Sequence, residues 1–168
     1  GFFAHWSPGC PTLYAPGNHD TGWGGPSWVE RQVRAHGMIL LRNARESWNG
    51  ITFVGLPSAL CARQRLDLVQ GAGFKLLLAH EPDTWDWTLA KDFVQLAGHT
   101  HGGQVRCFGR PLCLPTLGTR HPLGEYHRED GVRLLVSAGI SFAAAIVAIV
   151  LVRVSPAVEK AHIEAVAA

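Results

Sequence analysis

Phe74-Lys75-Leu76-Leu77-Leu78-Ala79-His80-Glu81-Pro82-Asp83 carries the strongest architectural signal in the chain. Its apolar run from Phe74 to Ala79 is what a strand covered on both faces looks like, and it stops abruptly at an imidazole with a carboxylate beside it. Two further stretches repeat the pattern. Thr12 to Ala15 runs into Pro16-Gly17-Asn18-His19-Asp20, and Phe93 to Ala97 runs into Gly98-His99-Thr100-His101-Gly102-Gly103-Gln104. Open α/β sheets bind their ligands beyond the carboxyl ends of the strands. Three strand-like segments that each deliver histidine there predict an α/β fold with its site on that edge.

The rest of the chain supplies the frame. With 168 residues, 47% of them hydrophobic and 17% charged, the composition is that of one globular domain with a real core. Trp28, Val29 and Val33 fall on one face at helical spacing between Pro26-Ser27 and Gly37. Met38 to Leu41 reads as a buried strand. Asn49-Gly50 between apolar runs predicts a hairpin from Glu46 to Gly55 closed by a type I′ turn. Ala59 to Gln70 is expected to be helical, with Leu60, Leu66 and Val69 inward. Asp83 to Lys91 reads as loop and short helix, Gln104 to about Asp130 as turns, and Val132 to Ser137 as a strand.

Several function classes recede on composition. A formal net charge of +2 without a long Lys/Arg block gives no nucleic-acid footprint. Cys10, Cys61, Cys107 and Cys113 form no C-x-x-C pair, and a domain of this size does not need staples, so free thiols are expected. The apolar run Phe142–Val152 has eleven residues, short of the about 20 that cross a bilayer. It is expected to be a buried strand or core helix in an atypical apolar tail over 140–168, with Ser155-Pro156 opening a terminal helix. Without a signal peptide pattern or a span, the expected placement is cytoplasmic or peripheral to a membrane.

Asn18, His80 and His99 offer one amide oxygen and two imidazoles. That donor set suits a borderline divalent ion such as Mn, Zn, Fe or Co better than Ca or Mg, which take oxygens. Glycines around His99 and His101 let the backbone take positive φ and keep bulk away from a ligand. His101 points at a neighbouring position, and two metals about 3.5–4 Å apart can clamp a phosphoryl oxygen and activate water. His19, next to Asn18 on the same turn, is placed to protonate a leaving alkoxide, with Asp20 fixing its tautomer.

These residues resemble a known family. Gly17-Asn18-His19-Asp20, His80 and Gly98-His99-Thr100-His101 are similar to the third, fourth and fifth motifs of the calcineurin-like metallophosphoesterases. The longer His80-Glu81-Pro82-Asp83 and Gly98-His99-Thr100-His101-Gly102-Gly103-Gln104 resemble the bacterial branch of YkuE- and YaeI-type phosphodiesterases. The resemblance implies an αββα sandwich of two mixed sheets flanked by helices and a dinuclear site for divalent ions. Carried over by position, Asn18, His80 and His99 hold one metal, His101 serves the other, and His19 with Asp20 form the catalytic pair. The family's first two motifs, with the metal-bridging Asp, belong ahead of Asn18. Seventeen residues precede it and none is acidic. The chain is therefore expected to be the C-terminal portion of such an enzyme, its sandwich incomplete on the N-terminal side.

The implied function is metal-dependent hydrolysis of phosphodiesters or phosphomonoesters, with glycerophosphodiesters, nucleotides and lipid-linked pyrophosphates all compatible. The alternative is a catalytically incomplete metal-binding remnant, or a partner-binding domain. His5, His36, His121, His127 and His162 read as ordinary polar residues, with His121 or His127 able to reach the cleft. Trp23 reads equally as a pocket wall or a half-buried aromatic. Arg63 and Arg65 read as solvated. Trp85 and Trp87 are expected to cover the core edge, an exposed pair being suited to a membrane surface or a lipid-like substrate.

Overall fold

The computed structural model describes residues 11–20, 28–103, 105–108 and 110–138. Cys10, Trp23 and the apolar tail over 140–168 lie outside them. At the centre is a six-stranded mixed sheet. Its strands are β3 (Ala44–Trp48), β4 (Ile51–Leu56), β5 (Lys75–Ala79), β6 (Phe93–Ala97), β9 (Gly124–His127) and β10 (Arg133–Val136), in the order β3-β4-β5-β6-β10-β9. The four inner strands run parallel and the two edge strands antiparallel. Every residue of β5 is buried, as its unbroken apolar run requires. The buried Lys75 that opens the strand donates to the carbonyls of Gly71 and Gly73 at 2.7 and 2.6 Å, which satisfies its ammonium without a counter-ion.

The two faces of this sheet bury different layers. Val54, Leu56, Leu77, Ala79, Phe93, Ala97, Leu134 and Val136 pack on one side. They are covered by a 3₁₀ turn at Leu66–Val69 and by Trp85 of the short helix α2 (Thr84–Trp87). On the other side Leu76, Leu78, Val94 and Leu96 meet Leu13, Ala15, Ile39 and Leu41. These lie on, or one residue past, the strands of a small parallel sheet, β1 (Leu13–Tyr14) and β2 (Ile39–Leu40). The sheets approach closely at Gly55, where a Cβ would lie 2.1 Å from the Cβ of Leu41. Helix α1 (Trp28–Ala35) covers the outer face of β1 and β2 through Val29 and Val33. The buried Glu30 holds it there by an ion pair to Arg42 at 3.0 Å. A two-stranded hairpin, β7 (Arg106–Cys107) with β8 (Arg110–Pro111), completes the described elements.

Several expectations about local structure hold. Asn49 and Gly50 have φ of 49° and 76°, as a type I′ turn demands, and Gly37 ends α1 with φ of 72°. Cys61, Cys107 and Cys113 are free thiols. Among the described residues, no helix is long and apolar enough to cross a membrane.

Three expectations fail. Trp28 does not share the buried face of Val29 and Val33 and is exposed. Ala59 to Gln70 is not a helix: only the 3₁₀ turn at Leu66–Val69 forms, and Leu60 is exposed. Distant partners fix this backbone instead. Asn43 Nδ2 donates to Arg63 O at 3.0 Å, Asn43 Oδ1 accepts from Arg65 N at 2.9 Å, and Gln64 Nε2 donates to Pro57 O at 2.9 Å. The turns expected from Gln104 to about Asp130 include the short β7–β8 pair and strand β9, ordered by its antiparallel pairing with β10.

Candidate metal centre

The three histidine-bearing turns leave the same edge of the molecule, after β1, β5 and β6. Backbone bonds carry the alignment past the strands: Gly98 N donates to His80 O at 3.0 Å, and Ser137 N to Ala97 O at 2.9 Å. The turn after β1 is closed by the buried Asp20, whose Oδ2 accepts from Gly17 N at 2.9 Å. Burial, with the Asp20 charge added to it, pushes the neighbouring Tyr14 phenol far above its usual range. Asp20 thus shapes the turn, and no hydrogen bond joins it to His19, whose side chain is exposed.

Within this frame Asn18 Oδ1 lies 2.8 Å from His80 Nε2. The rings of His80 and His99 meet edge to face, their centroids 5.0 Å apart at 68°. Gly17 makes the approach possible, because a Cβ there would stand 2.8 Å from His80 Nδ1 and 2.9 Å from Cε1. That buried Nδ1 has no hydrogen-bond partner. Burial, then the proximity of His99, push the His80 imidazole down to about 4 despite the opposing pull of Asp20. At neutral pH the ring is therefore uncharged and its lone pair free, the form a metal takes.

The turn after β6 is tightly wound. His99 and His101 have φ of 66° and 51°, followed by Gly102 at 65° and Gly103 at 71°. Two histidines in the left-handed region hold a conformation that costs about 1–3 kcal/mol each and persists only where its surroundings enforce it. Here Thr100 Oγ1 donates to Pro122 O at 2.6 Å, Gly103 N to Thr100 O at 2.9 Å, and His99 Nε2 lies 2.8 Å from Thr116 O. The other face of His99 is thus held by a carbonyl, which leaves its Nδ1 as the nitrogen for a ligand. His99 is buried and His101 exposed, so the turn separates the two imidazoles rather than presenting them alike.

Among the described residues, His80, Glu81 and His99 form a group whose ligand atoms all lie within 4.8 Å of one another. The motifs point to the two imidazoles with Asn18 and give Glu81 no role. Of the other histidines, His36, His121 and His127 behave as polar residues, and His5 and His162 lie outside the described residues. His121 lies between the rings of Trp85 and Tyr126 with its Nε2 3.2 Å from Asp86, while the exposed His127 pairs with Glu125. Arg65 pairs with Asp67, and Arg63 gives its carbonyl to Asn43. Trp85 covers the core edge as expected, and Trp87 is 43% exposed.

No family model and no solved structure matches the chain. It is 30% identical over 138 residues, 74% of its length, to YkuE of Bacillus subtilis (strain 168), a protein described as an uncharacterized metallophosphoesterase. The chain belongs to the metallophosphoesterase superfamily. It spans about half of that relative, 47% of its length, within the YkuE-type branch. The fold brings the motif residues Asn18, His80 and His99 together at the strand ends. A metal ion fits them: an amide oxygen and a neutral imidazole face each other at 2.8 Å, with a second imidazole alongside.

Proposed function

We propose that this chain carries the main metal site of a phosphoesterase that hydrolyses phosphodiesters or phosphomonoesters, with Asn18, His80 and His99 as ligands of one divalent ion and His101 serving a second. The single observation that carries the reading is the convergence of Asn18 Oδ1 on His80 Nε2 at 2.8 Å beside the His99 ring, in a chain similar to a metallophosphoesterase. Mn, Fe, Zn or Co suits that donor set. Such an ion supplies Lewis-acid polarisation of a phosphoryl oxygen and acidifies a water for attack.

The protein's own residues do the rest. His80 stays neutral through its burial and offers a lone pair at pH 7. His19 stands exposed on the turn beside Asn18, where an imidazole can give its proton to the departing alkoxide. Asp20 acts one step back, holding the turn through Gly17 N. The layer order α1, β1–β2, six-stranded sheet and α2 supports assigning the domain to the αββα sandwich that the motifs imply.

The test is hydrolysis of bis(p-nitrophenyl) phosphate in added Mn²⁺ by the full chain. His19→Ala is expected to lower kcat by about 10²–10⁴-fold with metal content unchanged, and His80→Ala to lose metal and turnover together. Hydrolysis that survives His80→Ala would refute the reading. Metal bound by wild type without turnover would instead favour a binding remnant. The exposure of His101, beside a buried His99 and a half-buried His80, favours that second reading.

A further inference from the structure

Glu81 follows His80 immediately, and its ligand atoms lie within reach of both imidazoles. On spacing alone it is a third ligand. Its hydrogen bonds say otherwise. The side chain is fully buried and both oxygens are engaged: Ser58 Oγ donates to Oε1, and Ala59 N donates to Oε2 at 2.9 Å. A carboxylate leaving those donors for an ion would strand a buried hydroxyl and a half-buried amide.

What the carboxylate holds is the loop over 57–61, and that loop reaches the turn bearing Asn18. Ser58 N donates to Pro16 O at 3.0 Å, and Cys61 Sγ lies 3.5 Å from Asn18 O as donor. Ser58 O accepts from Cys61 N at 3.1 Å, which closes the loop on itself. On its other side, Gln95 Nε2 donates to Glu81 O at 3.1 Å and to Pro82 O at 3.4 Å, fixing the backbone just past His80. An unbroken series of hydrogen bonds therefore runs from the end of β5, through Glu81 and Ser58, to both flanks of Gly17.

We propose that Glu81 is a positioning residue and not a ligand: it ties the Asn18 turn to the end of β5, so that Asn18 Oδ1 and His80 Nε2 stand at ligand spacing before an ion arrives. The proposal rests on the metal centre assigned above and says how its geometry is set. Partners that orient ligands in this way are typically worth about 10–100-fold in metal affinity.

The experiment compares the full-length chain with Glu81→Gln, Ser58→Ala and the double variant, by two readouts. In the metal-free protein, amide hydrogen exchange is followed over residues 16–20 and 57–61. Cobalt(II) affinity and its visible absorption bands are then measured. Each single variant is expected to speed exchange in both segments and to weaken cobalt binding about 10–100-fold. The bands should keep their positions, and the double variant should be little worse than either single one. Cobalt affinity untouched by Ser58→Ala, with bands displaced in Glu81→Gln alone, would make Glu81 a ligand and overturn the proposal. Unchanged exchange over 16–20 in both single variants would overturn it as well. Should the wild-type chain bind no cobalt, the metal-centre reading falls, and the exchange readout still decides whether Glu81 ties the two turns together.

Discussion

A single methyl group at Gly17 would probe how closely the Asn18 turn is fitted to the His80 ring. In Gly17→Ala the new Cβ stands 2.8 Å from Nδ1, 2.9 Å from Cε1 and 3.1 Å from Cγ of His80. Reaching ordinary contact at 3.4 Å needs a retreat of 3.4 − 2.8 = 0.6 Å. The ring cannot withdraw freely, because His99 packs edge to face at 5.0 Å. If the retreat lies along the line to Asn18 Oδ1, the 2.8 Å approach to His80 Nε2 opens to 2.8 + 0.6 = 3.4 Å. A disturbed ligand pair of this kind is expected to bind metal about 10–100-fold more weakly, or about 1.4–2.8 kcal/mol. Overpacking should also cost about 1–3 kcal/mol of stability without metal. Gly98→Ala is the matched control, since its Cβ would meet nothing closer than Ser137 Oγ at 4.0 Å. Calorimetric titration with Mn²⁺ or Zn²⁺ and urea denaturation of both variants make the comparison. Equal affinity and stability for Gly17→Ala and wild type, or equal losses in both variants, would refute the reasoning.

Two further outcomes follow from individual contacts. His80 has a folded pKa pushed down from 6.5 to about 4, so the unfolded chain binds its proton first. Its contribution to metal-free stability is therefore complete above pH 6.5 and lost as the pH falls towards 4. Urea midpoints measured across that window should fall less steeply in His80→Gln than in wild type; parallel profiles would contradict the shift. Arg128 donates to the carbonyls of Trp85, Thr88 and Ala90 and lies 5.9 and 5.7 Å from the ring centres of Trp85 and Phe93. Arg128→Ala should cost about 2–4 kcal/mol, and Arg128→Lys should recover little of it, because an ammonium cannot match the guanidinium fork. Urea denaturation measures both.

The strands that carry the site were legible because their signals are local. Leu76-Leu77-Leu78-Ala79 can satisfy its apolar surface only between two layers, and it has both. Asn49-Gly50 names its own turn. The segment from Ala59 to Gln70 was not legible, because its helical spacing is outweighed by bonds from Asn43, sixteen or more positions upstream. Strand β9 carries no pattern of its own and exists through β10. The site divides in the same way. Asn18, His80 and His99 could be read from their motifs. The service of Glu81 depends on Ser58 and Ala59, and of Asp20 on Gly17 N, which spacing does not reveal. The glycines around His99 and His101 are expected to take the positive φ values, and Gly102 and Gly103 do while Gly98 does not. The two histidines take them as well, because Pro122 and Thr116 hold the turn.

Titration of the metal-free full chain with Mn²⁺ or Zn²⁺ at pH 7.5, alongside His80→Ala, puts the metal centre to the test. Saturable binding of at least one ion per chain that is lost in His80→Ala is the expected result. Absence of binding, or binding of equal strength in the two proteins, would contradict a centre built on Asn18, His80 and His99.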